Sequence, residues 1–415
     1  MPRQLVAKKR LSNKPLTLTE IGPNNFQQLP LLDFTKQLCL GADLENTYFI
    51  AQQHIVPTTG SLFEALFQLG LSPTNISLIG KCYSTDLTTF HQLRASGIDI
   101  SDSSYAFDSH YSFDKQYTEN LKDFLLSCKQ KILARKPKKI ILLDDGGDLI
   151  IQSQSILNRN WKIVGIEQTS AGYNKLKAQE FTFPIINIAR CKAKLQYEAP
   201  IIAELSIRRL FSHLSRYRRK IKRILIIGAG VIGSHIYDTL NKQYDVTTFD
   251  IKPSKSMLSI SEFESSLNQF DLIIGCSGNQ VFKSDYFQKL KQNTILASLS
   301  SSDREFNAAF LRNKIKVFHD CHQDISVDSI HLLNGGFPLT FDSKYDASDE
   351  ILLEKLQLTR SMILYGIFQA SNEYNYFPKF ISLNKDAQNK IINKYIDIYR
   401  EEFPKLPVHY SNPAN

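Results

Sequence analysis

The chain has 415 residues, of which 42% are hydrophobic and 22% charged, and its formal net charge is +9. That length exceeds what one compact core supports and predicts two domains, and the composition is typical of a soluble globular protein. No apolar stretch is long enough to span a membrane, and the basic N-terminus lacks the apolar core of a signal peptide. Six cysteines without CxxC spacing favour reduced thiols, so we expect a cytoplasmic protein.

Part of the positive charge lies in one short run, RYRRKIKR, from Arg216 to Arg223. A basic run can bind nucleic acid, but this one has no interleaved aromatic residue beyond Tyr217, and no nucleic-acid-binding module accompanies it. The pattern favours a solvated helix end over an RNA-binding segment. We therefore predict a small-molecule partner rather than nucleic acid or a membrane, and a phosphate-bearing ligand would also suit the charge.

Residues from about Asn46 to Asn187 alternate between short apolar runs and amphipathic stretches. The apolar runs predict five strands, namely TYFIA, ISLIG, KIILL, KIVGI and PIINI. The stretches between them, such as SLFEALFQL and YTENLKDFLLSCKQKIL, repeat apolar residues at helical spacing. This alternation is typical of a mostly parallel sheet with helices on both faces.

A long helical pattern, EAPIIAELSIRRLFSHLSRY, leads into a second α/β unit between about Lys222 and Leu333. Its predicted strands are RILIIG, DVTTFD, DLIIGC, TILASL and KVFHD. Two further helical patterns, SDEILLEKLQLTRSMILYGIFQA and NKDAQNKIINKYIDIYREEF, follow it. The order predicts a two-domain α/β fold in which residues 201–340 are inserted into a domain built from residues 1–200 and 341–415.

The inserted domain begins with the strongest single motif. An apolar strand leads into GAGVIG, where Gly228, Gly230 and Gly233 form G-x-G-x-x-G before a helix. The first glycine permits a tight turn, the second lets the backbone approach a pyrophosphate, and the third lets helix and strand pack closely. Val231 and Ile232, at the start of the helix, add unpaired N–H groups that favour phosphate. The motif predicts a Rossmann dinucleotide-binding domain.

Asp250 ends the next strand, where its carboxylate can accept hydrogen bonds from the adenosine ribose and would repel a 2′-phosphate. The cofactor is therefore predicted to be NAD rather than NADP, although Lys252 softens this preference. A second loop, GCSGN, follows a later strand, and its Cys276, Gly278 and Asn279 are predicted to line the cofactor. The alternative is a glycine turn in a fold that no longer binds cofactor.

The segment IILLDDGGDLI, residues 140–150, ends a predicted strand with an acidic, glycine-rich loop. Ligands of open α/β sheets bind at such strand ends, which favours a functional Asp145. For Asp148, capping of the helix that follows is as good an explanation as a functional role. Asp144 is suited to anchoring the loop.

Together with GIEQTSAG and the central GAGVIG, the segment LLDDGGDL resembles motifs of the S-adenosylhomocysteine hydrolase (adenosylhomocysteinase) family. The order of parts is similar across most of the chain, starting from QHIVPTTGSLFEAL. The resemblance implies an adenosylhomocysteinase-like substrate domain, tightly held NAD and a homo-oligomer. In that family NAD oxidises the ribose 3′-hydroxyl, a thiol is eliminated, water adds, and the ketone is reduced again.

The resemblance implies roles for several residues of this chain. His54 falls at the family's substrate-loop histidine, Asp145 at a catalytic aspartate, and Lys192 at a lysine near the 3′-hydroxyl. Thr169 and Ser170 fall where family threonines contact the nicotinamide side of NAD. Either Lys192 or its neighbour Lys194 could instead be a solvated surface charge.

Other positions depart from the family pattern. In the family's H-x-T-x-E-T loop, Val56 and Thr58 replace the threonine and glutamate that contact adenosine. Gln168 stands at the catalytic glutamate, unless a one-residue slip brings Glu167 there. The family's G-H-F-D segment reads SSSD at residues 300–303, so Ser301 replaces its catalytic histidine. Near the end of the chain, KLPVHYSN is weakly similar to a family tail that reaches a neighbouring subunit's NAD.

Retained cofactor residues and altered substrate residues predict an NAD-dependent, adenosylhomocysteinase-like enzyme. It is expected to oxidise a hydroxyl of a nucleoside- or sugar-like substrate, and its substrate specificity is expected to have diverged from S-adenosylhomocysteine. One alternative is an NAD-binding pseudoenzyme with a regulatory role, in which Tyr197 and Phe337 fill the space for substrate. Another is a true hydrolase with rearranged catalytic groups.

The segment FHDCHQD places His319, Cys321 and His322 close together, in a pattern that resembles a metal site in isolation. A structural zinc site needs four ligands, and no second pair is apparent elsewhere in the sequence. We therefore predict no metal.

Overall fold

The computed structural model describes residues 26–217, 220–300, 302–316, 318, 320–341, 350–372 and 377–400. Its strands, numbered along the chain, form two sheets. The first sheet contains β1 (Thr47–Gln52), β2 (Ile76–Ile79), β3 (Asp99–Ile100), β4 (Lys139–Asp144), β5 (Ile163–Glu167), β6 (Ile185–Asn187) and β13 (Phe380–Ser382). The second contains β7 (Arg223–Ile227), β8 (Asp245–Phe249), β9 (Leu272–Gly275), β10 (Ile295–Ser298), β11 (Ile325–Val327) and β12 (Ile330–Leu332).

The first sheet is entirely parallel, in the order β13-β6-β5-β4-β1-β2-β3. Every residue of β1 and β4 is buried, as expected for parallel strands that are covered on both faces. The register places Ile141 between Phe49 and Val164. The chain adds β2 and β3 on one side of β1, and then β5 and β6 on the far side of β4. A topological switch point therefore lies between β1 and β4.

The second sheet has the order β11-β12-β10-β9-β7-β8 and is parallel except for β11. Its strand order reverses between β7 and β9, which creates a second switch point. The predicted strand KVFHD is wrong, since its described residues Lys316, Phe318 and Asp320 lie outside any strand. A hairpin of β11 and β12 takes the place beside β10, because Asp328 and Ser329 both adopt the positive φ that a tight hairpin turn needs.

Helices cover both faces of the first sheet, which confirms the predicted α/β architecture. The helices are α1 (Pro30–Leu38), α2 (Pro57–Gln68), α3 (Leu87–Ala95), α4 (Phe113–Arg135), α5 (Asp148–Ile156), α6 (Ser170–Leu176), α7 (Ala199–Leu214), α8 (Val231–Leu240), α9 (Ile260–Ser266), α10 (Ala308–Arg312), α11 (Glu350–Lys355), α12 (Gln357–Asn372) and α13 (Lys385–Ile398). Helices α1, α2, α12 and α13 share one hydrophobic core with the sheet, whereas α4 and α5 share the other. None of the described helices is both long and apolar enough to cross a membrane.

A buried ion pair of the second unit is hydrogen-bonded to the start of α4, which packs on the first sheet. The Arg312 guanidinium, on α10, binds the Asp303 carboxylate at 2.5 Å, and both side chains are fully excluded from solvent. Arg312 also donates to the carbonyl oxygens of Ser109 and Tyr111, which precede α4. The Asp303 carboxylate in turn accepts the N–H of Phe113, at the start of α4. These contacts fix the carboxyl ends of the second sheet beside those of the first.

Candidate functional site

The loop after β4 carries a buried charged pair at the switch point of the first sheet. Nζ of Lys81 lies 2.6 Å from Oδ1 of Asp145 and 2.9 Å from its carbonyl oxygen. Burial opposes ionisation of Asp145, but Lys81 and His54 together hold its pKa well below the usual range. Burial also opposes protonation of Lys81, but Asp145, Tyr83 and Asp144 together more than compensate, so the pKa of Lys81 is raised. The pair is therefore fully charged.

Three glutamines connect this pair to the centre of the sheet. Gln168 donates to Oδ2 of Asp145 and accepts a hydrogen bond from Nε2 of Gln53 at 3.2 Å. Gln52, the last residue of β1, donates to the Asp145 carbonyl oxygen at 3.1 Å. Gln168 thus stands where the family resemblance expected a titrating glutamate, and a carboxamide cannot act as a general base.

Asp144 and Asp148, the other aspartates of the loop, have structural contacts. The Asp144 carboxylate accepts the N–H groups of Gly147 and Ile150 and so caps the start of α5. Burial raises the pKa of Asp144. Asp148 forms an ion pair with Lys175 on α6 at 2.8 Å.

Glu167 is fully buried beneath the loop that follows β5. Its Oε1 accepts the N–H and hydroxyl of Thr169, while Oε2 has no partner among the described residues. A side chain at Gly172 would lie 2.3 Å from the Glu167 carboxyl carbon, so glycine makes room for it. Burial raises the pKa of Glu167 well above its usual value. The structure therefore places Gln168, not Glu167, against Asp145. A catalytic role of Glu167 stays a prediction.

The two residues expected beside the nicotinamide lie at the start of α6. Thr169 caps this helix by accepting the N–H of Gly172 at 2.9 Å, and Ser170 is exposed. Their predicted contact with NAD stays a prediction.

His54 lies beside the charged pair. Its Nε2 is 3.5 Å from Oδ1 of Asp145, and its Nδ1 is hydrogen-bonded to the Ser84 hydroxyl. Burial lowers the pKa of His54 to about 3, although Asp145 acts in the opposite direction. The imidazole is therefore neutral at physiological pH.

Lys192 does not lie in this cluster. It is exposed between the buried residues Cys191 and Ala193, and its backbone N–H donates to Gln388. The chain enters a π-helix at Lys194–Glu198, and it is the partly buried Lys194 whose charge acts on Asp145 and His54. The structure therefore does not bring Lys192 to Asp145, where Lys81 supplies the ammonium instead, and a catalytic role of Lys192 stays a prediction.

Aromatic side chains close the space above the charged pair. Phe341 stacks on His54 with ring centres 4.1 Å apart, and Phe337 stacks on Tyr83 at 4.9 Å. Phe337 is fully buried and also contacts Phe113 edge-on. Tyr197, the other residue expected to fill this space, is partly buried and packs against Tyr395 of α13 instead.

The glycine-rich loop has the geometry that a dinucleotide site requires. Gly228 has φ +102°, and a side chain there would lie 2.6 Å from the backbone nitrogen of Ser277. A side chain at Gly233 would lie 1.9 Å from the carbonyl oxygen of Gly228. At Gly230, by contrast, nothing lies within 4 Å of the position of a Cβ. Val231 and the partly buried Ile232 begin α8 directly beside this opening.

Asp250 follows β8, the neighbour of β7, and lies beside the glycine-rich loop. Its Oδ2 accepts the N–H of Ala229 at 2.8 Å, and its Oδ1 accepts that of Lys252 at 2.9 Å. The carboxylate thus lies against the glycine-rich loop, as a ribose ligand must.

Hydrogen bonds to the Glu305 carboxylate fix the second loop, Cys276–Asn279. This carboxylate accepts the N–H of Gly278 at 2.6 Å, the Ser277 hydroxyl at 3.0 Å, and the Ser300 hydroxyl. Burial raises the pKa of Glu305 to about 7. Cys276 is partly buried and Asn279 exposed. Ser301, where the family has its histidine, and the KLPVHYSN segment lie outside the described residues.

Asp320, Cys321 and His322 place one ligand atom each within 4.8 Å of one another. The Cys321 thiol also lies 3.7 Å from the carbonyl oxygen of Cys82, and His322 Nδ1 lies 3.0 Å from Oδ1 of Asn334. His319 lies outside the described residues. This group offers three ligands, whereas a structural zinc site needs four. The absence of a metal stays a prediction.

Several residues of this site were not found from the sequence. Lys81, Gln53 and Arg360 all reach the Asp145 cluster, and Glu305 supports the second loop. Lys81 carried a usable signal, because it follows the predicted strand ISLIG at its carboxyl end.

No family model matches the chain. It is 35% identical over 389 residues to the uncharacterized protein Rv0104 of Mycobacterium tuberculosis strain H37Rv, a match that covers 91% of this chain and 75% of that protein. The same match is found in strain CDC 1551. The chain therefore belongs to the family of this mycobacterial protein, whose description assigns no activity.

Solved structures show more distant likenesses. The A chain of dipicolinate synthase from Bacillus subtilis has a TM-score of 0.38 and 10% identity, over 80% of this chain and 98% of that one. An NAD-bound 3-phosphoglycerate dehydrogenase from Entamoeba histolytica has a TM-score of 0.37 and 11% identity, over 81% and 100%. At these scores the likenesses assign neither activity nor ligand to this chain.

Proposed function

We propose that the chain is an NAD-dependent enzyme that oxidises a hydroxyl group of a small substrate, in an adenosylhomocysteinase-like arrangement of two domains. The observation that carries this proposal is the glycine-rich loop at the second switch point, with its opening at Gly230 and the Asp250 carboxylate beside it. A nucleoside-like substrate, a homo-oligomer and a cytoplasmic location are part of the proposal and remain predictions.

The residues around the loop fit NAD. The space at Gly230 allows a pyrophosphate to approach the N-terminus of α8, whose N–H groups and dipole favour anions. Asp250 would accept the adenosine ribose hydroxyls. Gly278, fixed by Glu305, would border the nicotinamide end, and its carbonyl accepts a hydrogen bond from Arg304.

Arg304 also pairs with Asp114 on α4 at 2.7 Å, which brings the cofactor loop next to the substrate domain. The glycine-rich loop and Asp250 would hold NAD, which would supply a hydride acceptor for the oxidation of a substrate carbinol. The hydroxyl proton would pass to His54, whose ring is neutral but only weakly basic, because burial lowers its pKa to about 3. Asp145, 3.5 Å away, would stabilise the resulting imidazolium, and Lys81 keeps Asp145 ionised.

A second candidate is an NAD-binding pseudoenzyme. The packing of Phe341 on His54 and of Phe337 on Tyr83 favours it, because these rings cover side chains at the charged pair that a substrate would need to reach.

Incubation of the full-length protein with NAD and adenosine, S-adenosylhomocysteine or other hydroxylated ligands tests both candidates. We expect reduced nicotinamide to accumulate with the wild type and not with Asp145→Asn, whereas Asp148→Asn, which alters only the partly exposed pair with Lys175, should retain the reaction. Bound NAD without reduction by any ligand would favour the pseudoenzyme. Failure to bind NAD would overturn the proposal.

A further inference from the structure

A buried arginine in the same cluster has neutral partners. Arg360, on α12, is only 8% exposed. Its Nε donates to the Thr58 hydroxyl and its Nη1 to Oε1 of Gln53, both at 3.2 Å. A guanidinium has five N–H donors, so most of its hydrogen-bonding capacity is not used by these two contacts.

The nearest carboxylates are already paired. Asp145 binds Lys81, and Glu198 binds Lys194. Among the described residues none places a carboxylate within ion-pair distance of Arg360. Burial lowers the pKa of Arg360, and the fields of Asp145 and Glu198 offset this only in part. With His54 neutral, and with Asp145 and Glu198 each paired with a lysine, the Arg360 guanidinium has no ion-pair partner of its own among the described residues.

The N-terminus of α2 adds positive potential at the same place. Its N-cap, Val56, offers no side-chain hydrogen bond, and its first turn contains no acidic residue. Helix α3, by contrast, is capped by the Asp86 carboxylate. Thr58, in the first turn of α2, accepts the hydrogen bond from Arg360, so the helix end and the guanidinium face one another.

A buried charge without an opposite charge is costly, and buried charges are therefore normally paired. We propose that Arg360 and the N-terminus of α2 form an anion subsite, which binds a carboxylate or phosphate group of the substrate. This inference rests on the proposed function for the identity of the ligand as substrate. The chain Arg360–Gln53–Gln168–Asp145 then joins the subsite to the charged pair.

Thermal unfolding of the full-length protein tests the subsite, with malonate or inorganic phosphate compared with chloride at constant ionic strength. We expect at least one oxyanion to raise the melting temperature of the wild type, and Arg360→Gln to abolish the shift. Arg360→Lys should keep a smaller shift, because lysine retains the charge but not the planar donors. Arg190→Gln, at an exposed position, should behave as the wild type.

A shift with malonate alone would identify a carboxylate subsite, and a shift with phosphate alone a phosphate subsite. No shift in the wild type, or the same shift in Arg360→Gln, would overturn the proposal; in the second case the anion would be at the glycine-rich loop. Because the titration contains no NAD, its outcome is independent of whether the cofactor binds.

A second variant separates a ligand-binding role from a structural one. Without added anion, Arg360→Met should melt at the same temperature as the wild type or higher, because it removes an uncompensated buried charge. A much lower melting temperature would show that Arg360 serves as a structural bridge to Gln53 and Thr58, and the subsite would have to be abandoned.

Discussion

The Lys81 ammonium lies 2.6 Å from the Asp145 carboxylate, with side chains 6% and 7% exposed. Each charge is tolerated in the interior only because the other is present. The pair also joins the end of β2 to the loop after β4, across the intervening β1.

Removal of one partner should be far more harmful than removal of both. Lys81→Met leaves Asp145 buried and unpaired, so we expect a loss of about 3–5 kcal/mol in the free energy of unfolding. Adding Asp145→Asn should recover most of that loss. Urea denaturation of the two single variants and the double variant measures the coupling, and additive losses would contradict the prediction.

Lys131→Met provides the matched control for this cycle. Lys131 pairs with Asp99 at the surface, where both side chains are substantially exposed. We expect its loss to cost less than about 1 kcal/mol.

His54 should make the protein less stable in mild acid. Its pKa is about 6.5 in an unfolded chain and about 3 in the fold. The unfolded state therefore binds the proton first, and the stability contributed by neutral His54 is lost progressively as the pH falls from about 6.5 toward 3.

We expect His54→Gln to flatten this part of the stability–pH profile, measured by denaturant titration at each pH. The exposed His91 offers a control, since His91→Gln should leave the slope unchanged. Equal slopes for the wild type and His54→Gln would show that the folded protein tolerates the imidazolium.

Two glycines of the same motif should respond differently to alanine. Gly230→Ala meets no atom within 4 Å, so its free energy of unfolding should change by less than about 1 kcal/mol while NAD affinity falls. Gly233→Ala would place a methyl group against the Gly228 carbonyl, and should destabilise the protein by about 1–3 kcal/mol or more. Calorimetric titration with NAD and thermal unfolding measure the two effects; unchanged NAD affinity in Gly230→Ala would contradict the assigned pyrophosphate site.

Glu305 should have the opposite pH dependence to His54. Burial raises its pKa to about 7 in the fold, so its favourable contribution is complete below pH 4.5 and is lost as the pH rises through 7. Glu305→Gln keeps an acceptor for the Gly278 N–H without the charge. We expect this variant to gain stability relative to the wild type between pH 5 and pH 8, in thermal unfolding. A constant difference across that range would mean that Glu305 is ionised throughout.

The fold could be predicted because its signals are local. Apolar runs such as KIILL are buried on both faces of a parallel sheet, and the glycine-rich turn brings its own strand and helix with it. Strands β3 and β13 escaped prediction because two or three residues give no usable periodicity. The β11–β12 hairpin depends on positive φ at Asp328 and Ser329, neither of which is glycine.

The candidate site was only partly predictable because its contacts are distant in sequence. Lys81 meets Asp145 across 64 positions, and Arg360 meets Gln53 across 307. A resemblance by position placed the lysine at 192, but the backbone turns that residue outward and Lys194 inward. Sequence spacing does not specify such orientations when a π-helix interrupts the regular period.

The Asp303–Arg312 pair affects how fast the two sheets could separate. Separation of the two sheets would expose both charges and break the hydrogen bonds from Arg312 to Ser109 and Tyr111. These contacts oppose such an opening, so a cofactor that had to pass between the sheets would exchange slowly even if its equilibrium affinity were ordinary. Residence time, rather than dissociation constant, would then be the quantity that this ion pair controls.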